Sequence, residues 1–362
     1  MAWPKPRHRN TNSKVDWAGM VLISKKKNKE EKEKALAILD NWRAIHRYPM
    51  HIFKKRLKRV SERLDNNAFS VQRLKRLPSV LKKLKRVYSG NKPTMKLSQM
   101  QDIAGCRAVM RDVNLTKKLY KENYMRGDIK HKRVNMKDYI SNPKEDGYRC
   151  IHLIYRYKSD KERKKDYNGL LVEIQIRSKL QHLWATAIET VDFFTRQAIK
   201  SNEGQKEWTD FFRLVSSAFA IMESTPPVPN TPDSKSELYS KIKEKEKELQ
   251  VIKIMGGWAT AVKVFEEEVK KKPKLQYFLL ELDILSERLY ISGYTKNQEE
   301  QAVKDYAKAE RRNQGKKEYD VVLVGADTTN DLKQAYPNYF VDTKEFLENL
   351  KKVLKKSKSF SE

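Results

Sequence analysis

The sequence contains only two cysteines, Cys106 and Cys150, among its 362 residues. Two cysteines cannot form the disulfide framework of a small secreted domain, and they do not stand at Cys-x-x-Cys metal-binding spacing. No apolar run approaches the ~18 residues that a membrane-spanning helix needs. The stretch after Trp3-Pro4-Lys5 also lacks the apolar segment of a signal peptide. We therefore expect a cytoplasmic protein, neither disulfide-rich nor membrane-spanning.

Acidic residues are the other scarce class, with 47 Asp and Glu against 77 Lys and Arg and a net charge of +30. Residues 1–100 hold 27 Lys and Arg against 7 Asp and Glu, a local net charge of +20. Such an excess favours a polyanionic partner, although a soluble basic surface or a contact with acidic lipid would also produce it. At 39% hydrophobic residues the chain can support a sizeable core, and its length indicates two domains.

Two basic segments lie within the first 90 residues. Residues 28–66 have the apolar spacing of amphipathic helix, and their Lys- and Arg-rich polar face is either simply solvated or a contact for nucleic-acid backbone. Pro78 suits the first turn of a helix that places Lys82, Lys83, Lys85 and Arg86 near one another. Because phosphoryl transfer depends on positioning and charge neutralisation, this second cluster could bind a triphosphate.

Two β-rich stretches follow in the middle of the chain. Residues 143–157 read as a charged turn with Gly147, with Tyr148 at its tip, followed by an apolar strand. In residues 169–177, alternation places three apolar side chains on one strand face and Glu173, Gln175 and Arg177 on the other. The polar face is either a solvated sheet surface or part of a functional site.

Asp102 precedes a third short strand-like run, about 70 residues before Glu173. Mg²⁺ in proteins is commonly held by one or two carboxylates together with substrate phosphates. Two acids at the ends of neighbouring strands are therefore a plausible magnesium site, and one of them could also accept a proton from an attacking hydroxyl.

Together, the order and spacing of Asp102-Ile103-Ala104-Gly105-Cys106-Arg107, the Tyr148 turn and the Glu173 strand resemble the RelA/SpoT synthetase domain over roughly residues 45–222. The resemblance implies an α+β, nucleotidyltransferase-like fold with a mixed β-sheet flanked by helices. It also implies a pyrophosphokinase that moves a pyrophosphoryl group from ATP to a ribose 3′-hydroxyl with Mg²⁺.

The same resemblance assigns roles to ten residues. Asp102 holds Mg²⁺, and Glu173 holds Mg²⁺ or activates the 3′-hydroxyl. The implied ATP-binding residues are Arg73, Lys75, Lys83 and Arg107. The implied acceptor-binding residues are Tyr148, which stacks on the acceptor base, with Lys144, His152 and Gln175.

The helix after Arg177 departs from the housekeeping alarmone synthetases, which typically carry Trp-Ala-x-x-Glu-His there. Ile188 stands at the position of their Glu, and Glu189 at the position of their His. This difference weakens the expectation that the acceptor is a guanosine nucleotide.

A proline-rich segment divides the chain into a catalytic domain at residues 1–224, a linker at 225–235 and a C-terminal domain at 236–362. The C-terminal pattern indicates a small α/β unit, with strands at 275–285, 288–294 and 319–325 and helices at 258–270, 298–313, 333–339 and 343–354. Its Tyr336-Pro337-Asn338-Tyr339 resembles the Tyr-x-x-Tyr motif of the fused toxin–antitoxin proteins called CapRel. That resemblance implies a pseudo-zinc-finger-like regulatory domain in which Tyr336 and Tyr339 take part in autoinhibition, and a phage capsid protein as trigger.

The sequence thus predicts a toxic pyrophosphokinase that modifies the 3′-CCA end of tRNA and is silenced by an intramolecular toxin–antitoxin contact. Synthesis of (p)ppGpp from GDP or GTP remains the alternative. The alternative from another functional class is a catalytically inactive RNA-binding module. The presence of Asp102, Glu173 and the basic cluster that could bind a triphosphate argues against it.

Overall fold

A computed structural model describes residues 11–87, 93–198, 202–249, 251–252, 255, 277–283, 288–313, 319–325 and 344–358. Its helices are α1 Asn12–Ile23, α2 Lys29–Leu64, α3 Leu77–Leu84, α4 Val113–Tyr120, α5 Lys179–Ala198, α6 Asn202–Met222, α7 Lys235–Leu249, α8 Glu299–Arg312 and α9 Lys344–Lys358. Its strands are β1 Phe69–Leu74, β2 Ala104–Met110, β3 Lys132–Asp138, β4 Ile151–Arg156, β5 Leu171–Ser178, β6 Tyr277–Asp283, β7 Arg288–Tyr294 and β8 Tyr319–Gly325. In this described part of the chain, none of the helices combines the length and apolarity required to cross a membrane.

The central sheet has five strands in the order β1-β2-β5-β4-β3. The β2–β5 pair is parallel, whereas the β1–β2, β5–β4 and β4–β3 pairs are antiparallel. This mixed sheet with flanking helices confirms the predicted architecture. It brings β2, which follows Asp102, directly beside β5, which carries Glu173.

The two faces of the sheet differ in chemistry, as the alternation in β5 predicted. Val172, Ile174 and Ile176 are fully buried on one face, in the same core as residues of α2 such as Leu39 and Phe53. The opposite face carries Glu173, Gln175 and Arg177. Because α2 covers only the apolar face, the polar face is left to form a site.

The long helix α2 confirms the helix predicted over residues 28–66. Asn28 and Glu31 form a reciprocal capping box at its start, which satisfies backbone N–H groups that a helix end leaves unpaired. Pro49 lies buried inside the helix without ending it. Helix α1 buries Val15 and Val21, and residues 1–10 lie outside the described residues.

The C-terminal α/β unit contains a second, antiparallel sheet in the order β7-β6-β8, with α8 against it. This confirms the strands and the helix expected there. The helices expected at 258–270 and 333–339 lie outside the described residues. Helix α8 also packs on α2, where Arg43 and Glu310 form an ion pair of 2.9 Å with both side chains at most 5% exposed.

Helices on both sides of the predicted domain boundary at residue 224 share one core. Helices α5 and α6 share one apolar cluster with α7 and α9, and the ring of Phe346 in α9 lies 5.9 Å from those of Phe212 and Phe219 in α6. The segment expected to be a flexible linker also packs on α6. Val228 is 2% exposed, and its backbone N–H donates to Ser217 Oγ at 2.9 Å.

Candidate active site

Asp102 sits at the start of β2 between two lysines. Lys75, just after β1, donates to its Oδ2 at 2.9 Å, and Lys83 on α3 donates to its Oδ1 at 2.9 Å. Burial by itself raises the pKa of Asp102, but the two ammonium groups outweigh burial and hold this pKa below its usual range. Asp102 is therefore an ionised carboxylate with a cation on each oxygen.

Glu173 belongs to a closed ring of hydrogen-bonded side chains on the polar face of the sheet. Its Oε1 contacts His152 Nδ1 at 3.0 Å, and its Oε2 accepts from Gln175 Nε2 at 2.8 Å. Arg177 donates to Gln175 Oε1 at 2.6 Å and to the Tyr148 hydroxyl at 3.1 Å. The Tyr148 hydroxyl closes the ring by contacting His152 Nε2 at 2.8 Å.

The ring fixes the charges of its members. Burial raises the pKa of Glu173, but the hydrogen bond and the charge of His152 reverse this and lower the pKa overall. Burial lowers the pKa of His152, whereas Cys150, Tyr148 and the bond to Glu173 raise it, and the net shift is upward. We therefore assign an ionised Glu173 beside a protonated His152.

Both carboxylates line one cavity of about 120 Å³. Its lining also includes Arg73, Lys75, Gly105, Cys106, Arg107 and Gln175. Within the described residues no group of three His, Cys, Asp or Glu side chains is placed to hold a metal ion. A magnesium ion would therefore rely on Asp102 and Glu173 plus oxygens from the substrates, a donor set that suits Mg²⁺. The residues present fit the ion, although Asp102 would share its charge with two lysines.

The turn before β4 is held in place by α6. Gly147 has a φ of +92°, and a Cβ at this position would lie 2.7 Å from the Trp184 ring. Ser216 Oγ donates to Gly147 O at 2.6 Å, and buried Arg149 pairs with Glu223 at the end of α6. We call this turn, residues 144–148, the acceptor turn, because the resemblance implies acceptor-binding residues in it; α6 holds it through these contacts.

Tyr148 does not project from the tip of this turn as expected. Its ring is half-buried against the sheet, with Lys144 Nζ 5.3 Å and Arg177 Cζ 5.7 Å from the ring centroid. Because tertiary packing turns the side chain inward, a stacking base would compete with Lys144 for the ring. The exposed Lys144 side chain is the partner that can move away.

A second, open cavity of about 900 Å³ is lined by Lys83, which binds Asp102, and by Gln101, the residue before Asp102. Its cationic lining residues are Lys83, Lys96, Lys137 and Arg156, and Asp16 is an acidic one. Lys137 pairs across the strands with His152, and Arg156 pairs with Leu171. We call this cavity the basic groove; it shares Lys83 with the Asp102 site, because Lys83 also donates to Asp102 Oδ1.

The ten site residues predicted from the sequence thus lie along or beside the polar face of β2, β5 and β4, and their roles stay predictions. Tyr336 and Tyr339 lie outside the described residues. Sequence reasoning did not assign a site role to Arg177 or Glu223, which hold the acceptor turn. The alternation in β5 could have identified Arg177, because it places Arg177 on the same face as Glu173. No sequence pattern identifies Glu223, because its partner Arg149 is 74 residues away in the chain.

Comparison with known proteins places this site in a recognised region. Residues 72–193 match the family model described as "Region found in RelA / SpoT proteins". The chain is also 32% identical over 128 residues to the protein named GTP pyrophosphokinase YjbM of Bacillus subtilis (strain 168). That match covers 34% of this chain, and the chain spans 56% of the length of this curated relative.

Solved structures with some similarity include small alarmone synthetase 1 from Bacillus subtilis bound to its product pppGpp, at 24% identity and a TM-score of 0.42. The match covers 50% of this chain and 90% of that one. Small alarmone synthetase 2 from Bacillus subtilis matches at 20% identity and a TM-score of 0.41, over 51% of this chain and 93% of that one.

Residues 72–193 contain Asp102, Glu173 and both lysines that bind Asp102, so the catalytic candidates all fall within the matched region. This part of the chain is therefore similar to the region found in RelA / SpoT proteins.

Proposed function

We propose that this protein is a pyrophosphokinase that transfers a pyrophosphoryl group from ATP to a ribose 3′-hydroxyl. The observation that carries the proposal is the pair of ionised carboxylates, Asp102 and Glu173, in one cavity with Lys75 and Lys83 on Asp102. Phosphoryl transfer needs little covalent chemistry from the protein beyond positioning and charge neutralisation. A carboxylate pair with adjoining cations supplies both.

In this mechanism Lys75 and Lys83 bridge Asp102 and the phosphates of the donor, because an ammonium group can share its three donors between both anions. Mg²⁺, held by Asp102 and Glu173, would neutralise charge on the transferred phosphates. Glu173 accepts the proton of the 3′-hydroxyl while a bond forms between that oxygen and the β-phosphorus. The bond from the β-phosphorus to the α-phosphate oxygen breaks, and AMP leaves.

We infer that the acceptor is the 3′ end of tRNA. The basic groove supports this inference, because it places Lys96, Lys137 and Arg156 in one open cavity with Lys83, the lysine that binds Asp102. A nucleic-acid backbone matches such a row of cations. The cations of α2, in contrast, lie on the helix that covers the opposite face of the sheet.

Labelled ATP tests the reaction and its acceptor together. The full chain is incubated with ATP carrying label on the γ-phosphate and with deacylated tRNA, GDP or GTP. Label on tRNA is the expected result, whereas label on GDP or GTP alone would favour (p)ppGpp synthesis. Asp102→Asn and Glu173→Gln should each abolish transfer without changing tRNA binding, and near-normal turnover in both variants contradicts the mechanism.

The groove is tested by Lys137→Ala with Arg156→Ala, compared with the matched pair Lys55→Ala with Arg59→Ala on the exposed surface of α2. Each phosphate contact that is lost should lower the slope of log K against log salt concentration by about one unit. The groove pair should therefore weaken tRNA binding and flatten its salt dependence more than the α2 pair. Equal effects would place the tRNA elsewhere.

We also infer that the C-terminal unit is a regulatory domain of the pseudo-zinc-finger-like kind, as the resemblance to CapRel proteins implies. Supporting this, Glu310 Oε1 accepts from the backbone N–H of Leu77 at 3.0 Å, which joins α8 to the first residue of α3. Helix α3 carries Lys83, so the C-terminal unit contacts the element that holds a donor-binding lysine. An intramolecular toxin–antitoxin contact of this kind would silence the enzyme at rest.

The regulatory proposal predicts that Tyr336→Ala with Tyr339→Ala in the full chain raises basal transfer, and that a phage capsid protein, the expected trigger, does the same to the unchanged protein. Shifting a 99:1 closed population to 1:99 needs a differential affinity of about 5.5 kcal/mol, which a protein-sized interface can provide. Unchanged basal activity in the double variant would exclude the two tyrosines from autoinhibition.

A further inference from the structure

Glu189 lies on the face of α5 that packs on the catalytic sheet. It follows His182 by seven residues, which is about two helical turns, so both side chains share one face of the helix. The His182 ring meets the ring of Phe69, the first residue of β1, with centroids 5.4 Å apart. His182 therefore lies over the start of β1. Glu189, two helical turns further along α5, lies closer to the end of β1.

The charges of four arginines act on the Glu189 carboxylate. Burial raises the pKa of Glu189, but Arg73, Arg107, Arg76 and Arg177 outweigh burial and lower it, so the carboxylate is ionised. Of the four, Arg73 and Arg107 line the cavity that also holds Asp102 and Glu173. Glu189 therefore stands beside the arginine end of the candidate donor site.

One oxygen of this carboxylate has an unused hydrogen-bonding capacity. Glu189 Oε2 is buried, and no hydrogen-bond donor reaches it from the described part of the chain. An ionised oxygen without a donor is costly inside a protein, even among arginines, because it has lost its hydration. Such an atom is suited to accept a hydrogen bond from a bound ligand.

The layout of β2 indicates which part of the donor would meet this oxygen. Asp102, with Lys75 and Lys83, marks the phosphate end of the cavity. Arg107 follows five residues later, about 16 Å further along an extended chain at ~3.3 Å per residue. An extended nucleoside triphosphate with its phosphates at Asp102 would place its base near Arg107 and Arg73.

We propose that Glu189 is the residue that selects adenine in the donor nucleotide, with Oε2 accepting a hydrogen bond from the exocyclic 6-amino group. The proposal rests on the proposed function, which supplies a nucleoside triphosphate donor. At the same position guanine carries a carbonyl oxygen, which is an acceptor. A carboxylate attracts the amino group and repels the carbonyl, so Glu189 favours ATP over GTP as donor.

The test measures binding of three non-hydrolysable triphosphates to the full chain: the adenosine analogue, the guanosine analogue and the purine riboside analogue, which lacks the 6-amino group. The unchanged protein should bind the adenosine analogue roughly 10- to 100-fold more tightly than the other two, the range expected when a buried charged acceptor loses its donor. This ligand series needs no variant, so it stands even if a substitution disturbs folding.

Glu189→Gln is the matching change in the protein. The preference for the adenosine analogue should fall to within about threefold, because an uncharged amide can also donate to the guanine carbonyl. Glu207→Gln is the control, since Glu207 lies on α6 and pairs with Lys245 instead of the arginines. It should keep the full preference.

Each contrary outcome has a separate meaning. If Glu189→Gln weakens all three analogues by the same factor, Glu189 only orders the arginines, and base selection is overturned. Base selection is also overturned if the unchanged protein binds all three analogues equally. In that case the protein still binds triphosphates, as the proposed function requires. If the unchanged protein binds none of them, both the proposed function and this inference fail.

Discussion

At the scale of single residues, His152 connects the acceptor turn to the carboxylate chemistry, since its two ring nitrogens contact Tyr148 and Glu173. Its pKa is raised above the value of ~6.5 that histidine has in unfolded chains. The stability that follows from this shift is fully present below pH ~6.5 and is lost as the pH rises through the higher native pKa. His152 should therefore stay protonated in the native protein around neutral pH.

NMR titration of the His152 ring provides the measurement, with His152→Gln to assign the signal. The unchanged protein should show no deprotonation of His152 between pH 6 and 8, and Glu173→Gln should lower the pKa because it removes a charged acceptor. A midpoint near 6.5 in both proteins would show that the ring of hydrogen bonds does not fix the charge of His152.

At the scale of secondary-structure elements, α6 positions the acceptor turn through a buried ion pair. The Arg149 and Glu223 side chains are 2% and 6% exposed, and Glu223 also accepts from Gln181 at 3.1 Å. Removing one partner of a buried pair typically costs about 3–5 kcal/mol because the other charge is left uncompensated. Glu223→Gln should therefore destabilise the protein and raise the KM for the acceptor more than the KM for ATP.

Thermal unfolding and initial-rate kinetics on the same preparations separate the two effects. Glu207→Gln on α6 is again the control, because its lysine partner lies far from the acceptor turn in the chain. Equal increases of both KM values in Glu223→Gln would mean that α6 stabilises the site generally and does not act through the turn.

At the scale of the whole molecule, the C-terminal helices complete the core of the N-terminal part. Phe346 is 1% exposed and packs on Phe212 and Phe219 of α6. Truncating a buried phenylalanine to alanine costs about 3–5 kcal/mol, so Phe346→Ala should lower the stability of the unit that contains α6. Residues 1–224 expressed alone should be less stable still, because they lose every α7 and α9 contact.

Denaturant unfolding followed through Trp208 fluorescence reports on this, since Trp208 lies on α6 in the same cluster. Lys351→Ala, an exposed position of α9, serves as the control. A Trp208 transition that is unchanged by Phe346→Ala would show that α9 does not stabilise the unit that contains α6, as two separate domains divided at 224 would require.

The contact between α8 and α2 makes a second prediction at this scale. Glu310 pairs with Arg43 and also accepts from the Leu77 N–H, so it joins the C-terminal unit to both α2 and α3. Glu310→Gln should cost roughly 3 kcal/mol in the free energy of unfolding, whereas Glu300→Gln, exposed on α8, should cost little. Equal unfolding curves for the two variants would show that the two units are not coupled at Glu310.

The sequence alone determined the local chemistry. Alternation fixed which side of β5 carries Glu173, because successive side chains on a strand point to opposite faces. The apolar spacing of residues 28–66 predicted α2, although Pro49 would have argued for a break: the buried contacts of the helix override the backbone cost of the proline. Charge composition likewise pointed to an anionic substrate without any structural information.

Only the tertiary structure decided which charges meet. The bonds of Lys75 and Lys83 to Asp102 span 27 and 19 residues of sequence, and those of Arg149 to Glu223 and Arg43 to Glu310 span 74 and 267. Contacts between residues so far apart in the chain leave no periodic pattern in the sequence that could predict them. The fold also turned Tyr148 inward and packed residues 225–234 on α6, since burial of apolar surface and satisfaction of polar groups depend on neighbours that are remote in the chain.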